Sequence, residues 1–260
     1  MAAKLQLPDV TLLSVTAVDI EETHAALLHC AGCADFAAVK MLSSVPPAIT
    51  DPGVEYIRIP PIDLRGYSRF ILESLSPYVQ TGFCLIVQSD GFIVDAAHWR
   101  DEFLDYDYVG APWPRYVVPP RGSGRLLVRL SKNFVGNGGF SLRSKRLLEV
   151  ASRIRFDELE FPVAPEDLLI CHHLYDEIRA AGIRFAPPEI AARFSIESPA
   201  RLFGQSIDSV FGFHGRYWRD ACRAKCHMPP RTGAPRKSLQ DYPQLSLLNA
   251  ILPPIGRLKS

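Results

Sequence analysis

Four stretches of this sequence carry side chains whose types and spacing suit chemistry. Asp90 ends the apolar run "GFCLIVQSDG", and Glu166 with Asp167 opens "APEDLLICHHLYDEIRAAG". His214 stands between glycines in "FGFHGRYW", and "FVGNGGFSLRS" (Phe134 to Ser144) sets Asn137 among Gly136, Gly138 and Gly139. A carboxylate and an imidazole supply oxygen and nitrogen ligands for a divalent metal, Mn2+ or Mg2+, with positions left over for phosphate oxygens. Such a metal is a Lewis acid that neutralises charge on a departing diphosphate. A carboxylate of the Pro-Glu-Asp step is then available to remove a proton from a hydroxyl. A glycine run suits a backbone that takes positive φ, or one against which a ligand such as a sugar lies directly. Each feature also has a plain structural explanation. Asp-Gly after a strand makes a turn, and paired acids at a helix start complement the helix dipole. A histidine between glycines packs as a hydrogen-bonded ring, and a glycine run joins two buried strands.

The elements that would position these residues read as an alternation of strands and helices. "VTLLSVTAV" is a β-rich apolar run, and "IEETHAALLHCAGC" has helical apolar spacing that closes near Gly32. "FAAVKMLSS" and "VEYIRIPPI" read as strands, and "GYSRFILESLSPYV" as a helix. "GFCLIVQSDG" is a continuously apolar strand that stops at Ser89, Asp90 and Gly91. This pattern predicts an α/β fold whose mostly parallel sheet is flanked by helices, with ligands at the carboxyl ends of the strands, where Asp90 falls. Further on, "KRLLEVASRI" and the whole of "APEDLLICHHLYDEIRAAG" read as helices, the latter ending at Gly182. "IRFAPPEIAARFSIE" and "FGFHGRYW" read as strand or loop, and "VPPRGSGRLLVRL" as an excursion that returns into a strand. No internal repeat is visible. The reading divides the chain into a domain over 1–227 and an extension over 228–260, made of the linker "MPPRTGAPRKS" and the short amphipathic piece "LQDYPQLSLLNAIL".

Composition narrows the function classes. With 260 residues, 47% hydrophobic and 22% charged, the chain has the make-up of an ordinary globular protein. A net charge of +1 gives no reason to expect nucleic-acid binding. The charge is uneven, since residues from Arg201 onward hold ten Lys and Arg against three Asp. A basic end of this kind, with Arg231, Arg236 and Lys237 in its linker, suits a solvated tail, and equally peripheral contact with an anionic membrane surface or a phosphorylated ligand. No apolar run reaches the roughly 18 to 20 residues of a membrane span, and the N-terminus lacks the three regions of a signal peptide. The expectation is a cytoplasmic protein, peripheral at the inner face of the membrane. Six cysteines do not make a disulfide framework, and neither Cys30/Cys33 nor Cys222/Cys226 with His227 has the spacing of a zinc finger.

The order strand-Asp, Gly-Gly loop, Glu-Asp helix, His-Gly is similar to metal-dependent glycosyltransferases of the GT-A (Rossmann-like) fold, notably the β-galactosyltransferase kind. More closely, "VQSDGFIV", "YDYVGAPW", "VGNGGFSLRS", "PEDLLIC" and "FAPPEIAARFSIE" resemble the DUF5672 family, regarded as glycosyltransferase-like, over about residues 50 to 220. The resemblance implies a glycosyltransferase of hexosyltransferase type. It would move a sugar from a nucleoside-diphosphate donor, a UDP-sugar for preference, to a hydroxyl of a glycan or lipid-linked acceptor in polysaccharide biosynthesis. Asp90 would match the last acid of the Asp-x-Asp metal motif, with Gln88 where the first acid would be, and His214 would complete the metal site. Asn137, Gly138, Gly139 and Trp113 would meet the donor or acceptor sugar. Tyr67, Ser68 and Arg69, with Gln88 and Ser89, would line the nucleotide site. Asp167, in preference to Glu166, would be the base, and one well-placed base favours inversion. Two rival readings stand beside this one: an inactive nucleotide- or glycan-binding module, for which Gln88 speaks, and a metal-dependent phosphoesterase or hydrolase using Asp90, Asp167 and His214.

Overall fold

The computed structural model describes residues 4–117, 127–159 and 165–229. In chain order its elements begin with β1 (Leu5–Thr16), α1 (Ile20–Cys33), β2 (Ala34–Ser43), β3 (Glu55–Arg58), α2 (Leu64–Arg69) and β4 (Phe83–Ile86). Five two-residue strands follow: β5 (Tyr108–Val109), β6 (Ala111–Pro112), β7 (Tyr116–Val117), β8 (Val128–Arg129) and β9 (Val135–Gly136). The chain then forms β10 (Ser141–Ser144), α3 (Lys145–Ala151), α4 (Glu166–Leu168), α5 (Tyr175–Ala180), α6 (Pro188–Phe194), β11 (Ser195–Ile196), β12 (Gly212–Phe213) and α7 (Arg216–Lys225).

The main sheet has six strands in the order β3-β2-β1-β4-β10-β5. Strands β1 to β4 are mutually parallel, and β10 runs antiparallel to both β4 and β5. The expected α/β fold with a mostly parallel sheet is present. Strand β1 lies inside the sheet and is buried on both faces, which is why it reads as an apolar run and not as an alternation. Val10 and Leu12 pack with Ala26, Leu27 and Cys30 of α1 on one face. Leu13 and Val15 pack with Ile71, Leu75 and Leu148 on the other, beneath the α2 and α3 regions. Helix α1 buries Thr23, His24, Ala26, Leu27 and Cys30, a stripe at helical spacing, and carries Glu21 and Glu22 in its first turn.

Several local expectations change. "GYSRFILESLSPYV" is not one helix: α2 passes into a π-helical turn at Phe70–Ser74 and a 3-10 turn at Ser76–Tyr78. "APEDLLICHHLYDEIRAAG" is likewise divided, with a π-helical turn at Leu169–His173 between α4 and α5. Gly182 ends it with φ of 86°, as expected of a helix stop. Two segments read as strand or loop contain helices. Helix α6 starts with Pro188 at its first position and Glu189 beside it, and α7 starts after Gly215, whose φ is 96°. The excursion "VPPRGSGRLLVRL" returns into a strand as expected, β8, while its residues 118–126 and everything from 230 on, including Arg231, Arg236, Lys237 and the amphipathic piece, lie outside the described residues. Among the described residues no helix is long and apolar enough to cross a membrane.

Candidate active site

Topology brings the separated motifs together. Ser141 pairs with Ile86 in the antiparallel β4–β10 ladder, so residues just before β10 lie beside residues just after β4. The glycine loop therefore meets the Asp90 turn. That turn is closed by reciprocal backbone bonds between Gln88 and Gly91, with Ser89 and Asp90 at its tip. Gly91 approaches so closely that a Cβ there would lie 2.7 Å from the Gly139 carbonyl oxygen. Strands β11 and β12 are parallel, with Ile196 opposite Phe213, so the next residues on each, Glu197 and His214, fall side by side. Phe213 N–H donates to the Phe92 carbonyl and Gly215 N–H to the Asp90 carbonyl, which docks this pair on the Asp90 turn.

His214 sits between two carboxylates. Its Nε2 is 3.7 Å from Asp90 Oδ1 and its Nδ1 is 3.1 Å from Glu197 Oε1. Burial pulls its pKa down, but the Glu197 hydrogen bond and the charges of Asp90, Glu197 and Asp167 prevail and raise it to about 9. The Asp90 and His214 side chains are 21% and 20% exposed, open enough to meet a ligand. They fit a divalent ion on two conditions: the ring must give up its Nε2 proton to the ion, and the other ligands must come from outside the pair. Among the described residues no group of three His, Cys, Asp or Glu is placed to hold a metal. Asp90 and His214 therefore suit an ion that draws its other ligands from a diphosphate and water, as Mg2+ and Mn2+ sites commonly do. Gln88, in place of a second acid, donates from Nε2 to the Tyr67 hydroxyl at 2.8 Å.

The loop itself is built differently from the expectation. Positive φ falls on Asn137, at 84°, and not on Gly136, Gly138 or Gly139. Asn137 is fully buried, and its Oδ1 accepts from the N–H groups of Gly139 and Phe140, an Asx-type turn. The space a side chain would take at each glycine is filled by the protein. A Cβ on Gly136 would overlap the Trp113 ring, one on Gly138 the Glu166 carboxylate, and one on Gly139 the His214 ring. The glycines thus let the site's own side chains lie against the loop.

Beneath the loop Arg143 is fully buried and donates to Glu166 Oε1 at 3.0 Å, to Ser141 Oγ at 3.0 Å and to the Gly138 carbonyl. Glu166 is 3% exposed and engaged in this pair. Its neighbour Asp167 is only partly buried. Asp167 Oδ2 accepts from Gly138 N–H at 2.9 Å and Oδ1 from Leu168 N–H at 2.7 Å. Burial, then the charges of Glu166 and Glu197, push its pKa up to about 7 against the restraint of those two N–H groups.

Tyr67 joins the site through Gln88, while burial pushes its phenol pKa up. Ser68 is buried and bonded to its own helix, and Arg69 is half exposed and paired with Glu73 and Asp157. Trp113 is 7% exposed; its ring packs on Gly136 and its Nε1 donates to Glu197 Oε2 at 2.6 Å. Glu197 and Arg143 did not emerge from the motifs. Glu197 follows a two-residue strand in a segment read only as strand or loop, which gave no hint of its partner, whereas a charge inside the otherwise buried "GFSLRS" was a visible sign of a buried ion pair.

Residues 60–214 match a family described as "Protein of unknown function (DUF5672)". The chain belongs to this family. No protein of curated function matches the DUF5672 chain. Among the solved structures that resemble it are two at 14% identity. One is a mannosyltransferase, PcManGT from Pyrobaculum calidifontis, solved with GDP-Man and Mn2+, with a TM-score of 0.44 and 71% of this chain covered. The DUF5672 chain spans 57% of that protein's length. The other is a glycosyltransferase involved in glycosylation of the major capsid of PBCV-1, with a TM-score of 0.45, 85% of this chain covered and 99% of that one.

Proposed function

We propose that this DUF5672 protein is a glycosyltransferase of GT-A type that moves a sugar from a nucleoside-diphosphate donor to an acceptor hydroxyl with inversion. The observation that carries the reading is Asp167. It is a carboxylate held by the loop N–H of Gly138, with its pKa at about 7, next to an Asp90–His214 pair suited to a diphosphate-bound metal. A base with a pKa near the working pH balances proton affinity against ionised fraction, which is what general-base catalysis requires.

In this account Asp167 takes the proton from the acceptor hydroxyl. The freed oxygen bonds to the anomeric carbon as the bond from that carbon to the diphosphate oxygen breaks, and the nucleoside diphosphate departs with the electron pair. Asp90 and His214 would hold the metal, which when bound neutralises charge on the leaving group. Glu166 is assigned the structural half of the acidic pair: ionised against Arg143, it raises the proton affinity of Asp167. Gln88 and Tyr67 would line the nucleotide side, and Asn137, Gly138 and Gly139 would shape the sugar side. The acceptor would be a glycan or lipid-linked sugar.

Asp167→Asn should lower the transfer rate by about 100- to 10,000-fold while nucleoside-diphosphate binding remains. Single-turnover assays with a panel of sugar nucleotides and acceptors measure this; an unchanged rate removes Asp167 from the reaction. The rival reading, an inactive binding module, draws on Gln88 and on the two-ligand Asp90–His214 set. It expects nucleotide binding indifferent to metal and no product. A phosphoesterase instead would turn over the sugar nucleotide equally fast without acceptor.

A further inference from the structure

The carboxylate of Glu197 has both oxygens engaged, and by different partners. Oε2 accepts from the indole N–H of Trp113 at 2.6 Å, and Oε1 faces His214 Nδ1 at 3.1 Å. The backbone reinforces this: Trp218 Nε1 donates to the Glu197 carbonyl, and His214 N–H to the Ile196 carbonyl. We propose that Glu197, oriented by Trp113, is a positioning residue that fixes the tautomer of His214, so that Nδ1 carries the proton and Nε2 is left bare toward Asp90.

The chemistry follows from donor and acceptor roles. Ionised carboxylates only accept, and two of them face this ring: Glu197 Oε1 is within hydrogen-bond distance of Nδ1 at 3.1 Å, whereas Asp90 Oδ1 stands 3.7 Å from Nε2, too far for a hydrogen bond. The single proton of a neutral imidazole therefore falls on Nδ1. An indole N–H only donates, so it requires an acceptor at the other end of the residue 197 side chain. With glutamate both demands are met. With glutamine the amide oxygen must turn to Trp113, which aims the amide NH2 at His214 Nδ1. Nδ1 must then accept, and the ring proton moves to Nε2, where it blocks a metal. Trp113 thus makes the Glu197→Gln exchange directional, and removing its N–H should undo the effect. In the double variant Trp113→Phe/Glu197→Gln the amide is free to turn its oxygen back to Nδ1. The inference rests on the proposed function for its use, since it gives Nε2 to a metal shared with Asp90.

The test uses the full chain labelled with 15N-histidine, with His214 among the seven histidines assigned by its loss in His214→Gln. Ring nitrogen shifts are followed through a pH titration and read on the alkaline plateau, where the ring is neutral. The expected result is a proton on Nδ1 in the wild type, on Nε2 in Glu197→Gln, and on Nδ1 again in the double variant. Mn2+ alone, followed by its paramagnetic resonance signal, should bind about 10- to 100-fold more weakly to Glu197→Gln, and the double variant should recover most of that loss. Trp113→Phe alone controls for the packing lost against Gly136 and should keep the proton on Nδ1. The same tautomer in wild type and Glu197→Gln, or a wild type already protonated on Nε2, overturns the inference. A wild type that binds no Mn2+ contradicts the ligand-pair reading instead, while the nitrogen shifts still decide whether Glu197 sets the tautomer.

Discussion

At the scale of single residues, the site works by giving neighbouring charged groups different environments. Glu166 and Asp167 are adjacent in sequence, yet one is buried against Arg143 and the other is held on the loop with its pKa raised to about 7. The sign of the consequence follows directly. A carboxyl raised from its ordinary range stabilises the fold fully below about pH 4. That contribution is lost as the pH rises through about 7. Under the proposed mechanism activity runs the other way, because Asp167 must be ionised to act as base, so with the metal at saturation kcat/KM should climb across the same window and level off above about pH 7. The buried pair gives a second prediction. Arg143→Met leaves Glu166 as an uncompensated buried charge and should lower the unfolding free energy by about 3 to 5 kcal/mol. The double variant Arg143→Met/Glu166→Leu should lose less than the single one. Chemical denaturation decides it, and a single variant within about 1 kcal/mol of wild type would mean that Arg143 is not needed to offset that charge. Asp90, Asp167 and His214 were legible as chemical groups in the sequence. Their partner Glu197 was not, because it reaches His214 only through strands two residues long, and Trp113 was legible as a sugar contact but not as the donor that holds Glu197.

At the scale of elements, the glycine loop is governed by the side chains around it. A Cβ on Gly139 would overlap the His214 ring and approach Gln88 Oε1 at 2.6 Å. Gly139→Ala should therefore displace His214, abolish transfer and destabilise the fold by about 1 to 3 kcal/mol, as overpacking does. Gly32 is the contrast. It lies near the end of α1 with nothing within 4 Å of the point an added Cβ would occupy, so Gly32→Ala should raise stability by about 0.5 to 1 kcal/mol and leave transfer unchanged. Thermal and denaturant unfolding of both variants provide the check; equal behaviour would show that the loop glycine is not constrained by His214. Strand-helix alternation was legible because β1 and α1 carry strong apolar patterns. The π-helical turns after α2 and α4 were not: Ile71, Leu72 and Leu75, for example, are buried at a spacing that a continuous α-helix would show as well. Helix α6 carries a start signal in Pro188 and Glu189, but its sequence also fits a loop bounded by prolines.

At the scale of the whole molecule, the site depends on one topological fact: an antiparallel strand beside a parallel one returns the chain to the same sheet edge. Strand β4 delivers Asp90 there, the approach to β10 delivers the glycine loop, and β12 delivers His214. The motif order showed which residues to expect at that edge, while the ladder register that joins them was visible only in the fold. The central claim is that this edge holds a nucleoside diphosphate through a metal on Asp90 and His214. The direct measurement is calorimetric titration of UDP, GDP and the other nucleoside diphosphates into the wild type and Asp90→Ala, each with and without Mn2+. The expected result is tight binding of one diphosphate that requires Mn2+ and disappears in Asp90→Ala. Binding that is equal with and without Mn2+, or unaffected by Asp90→Ala, would contradict it.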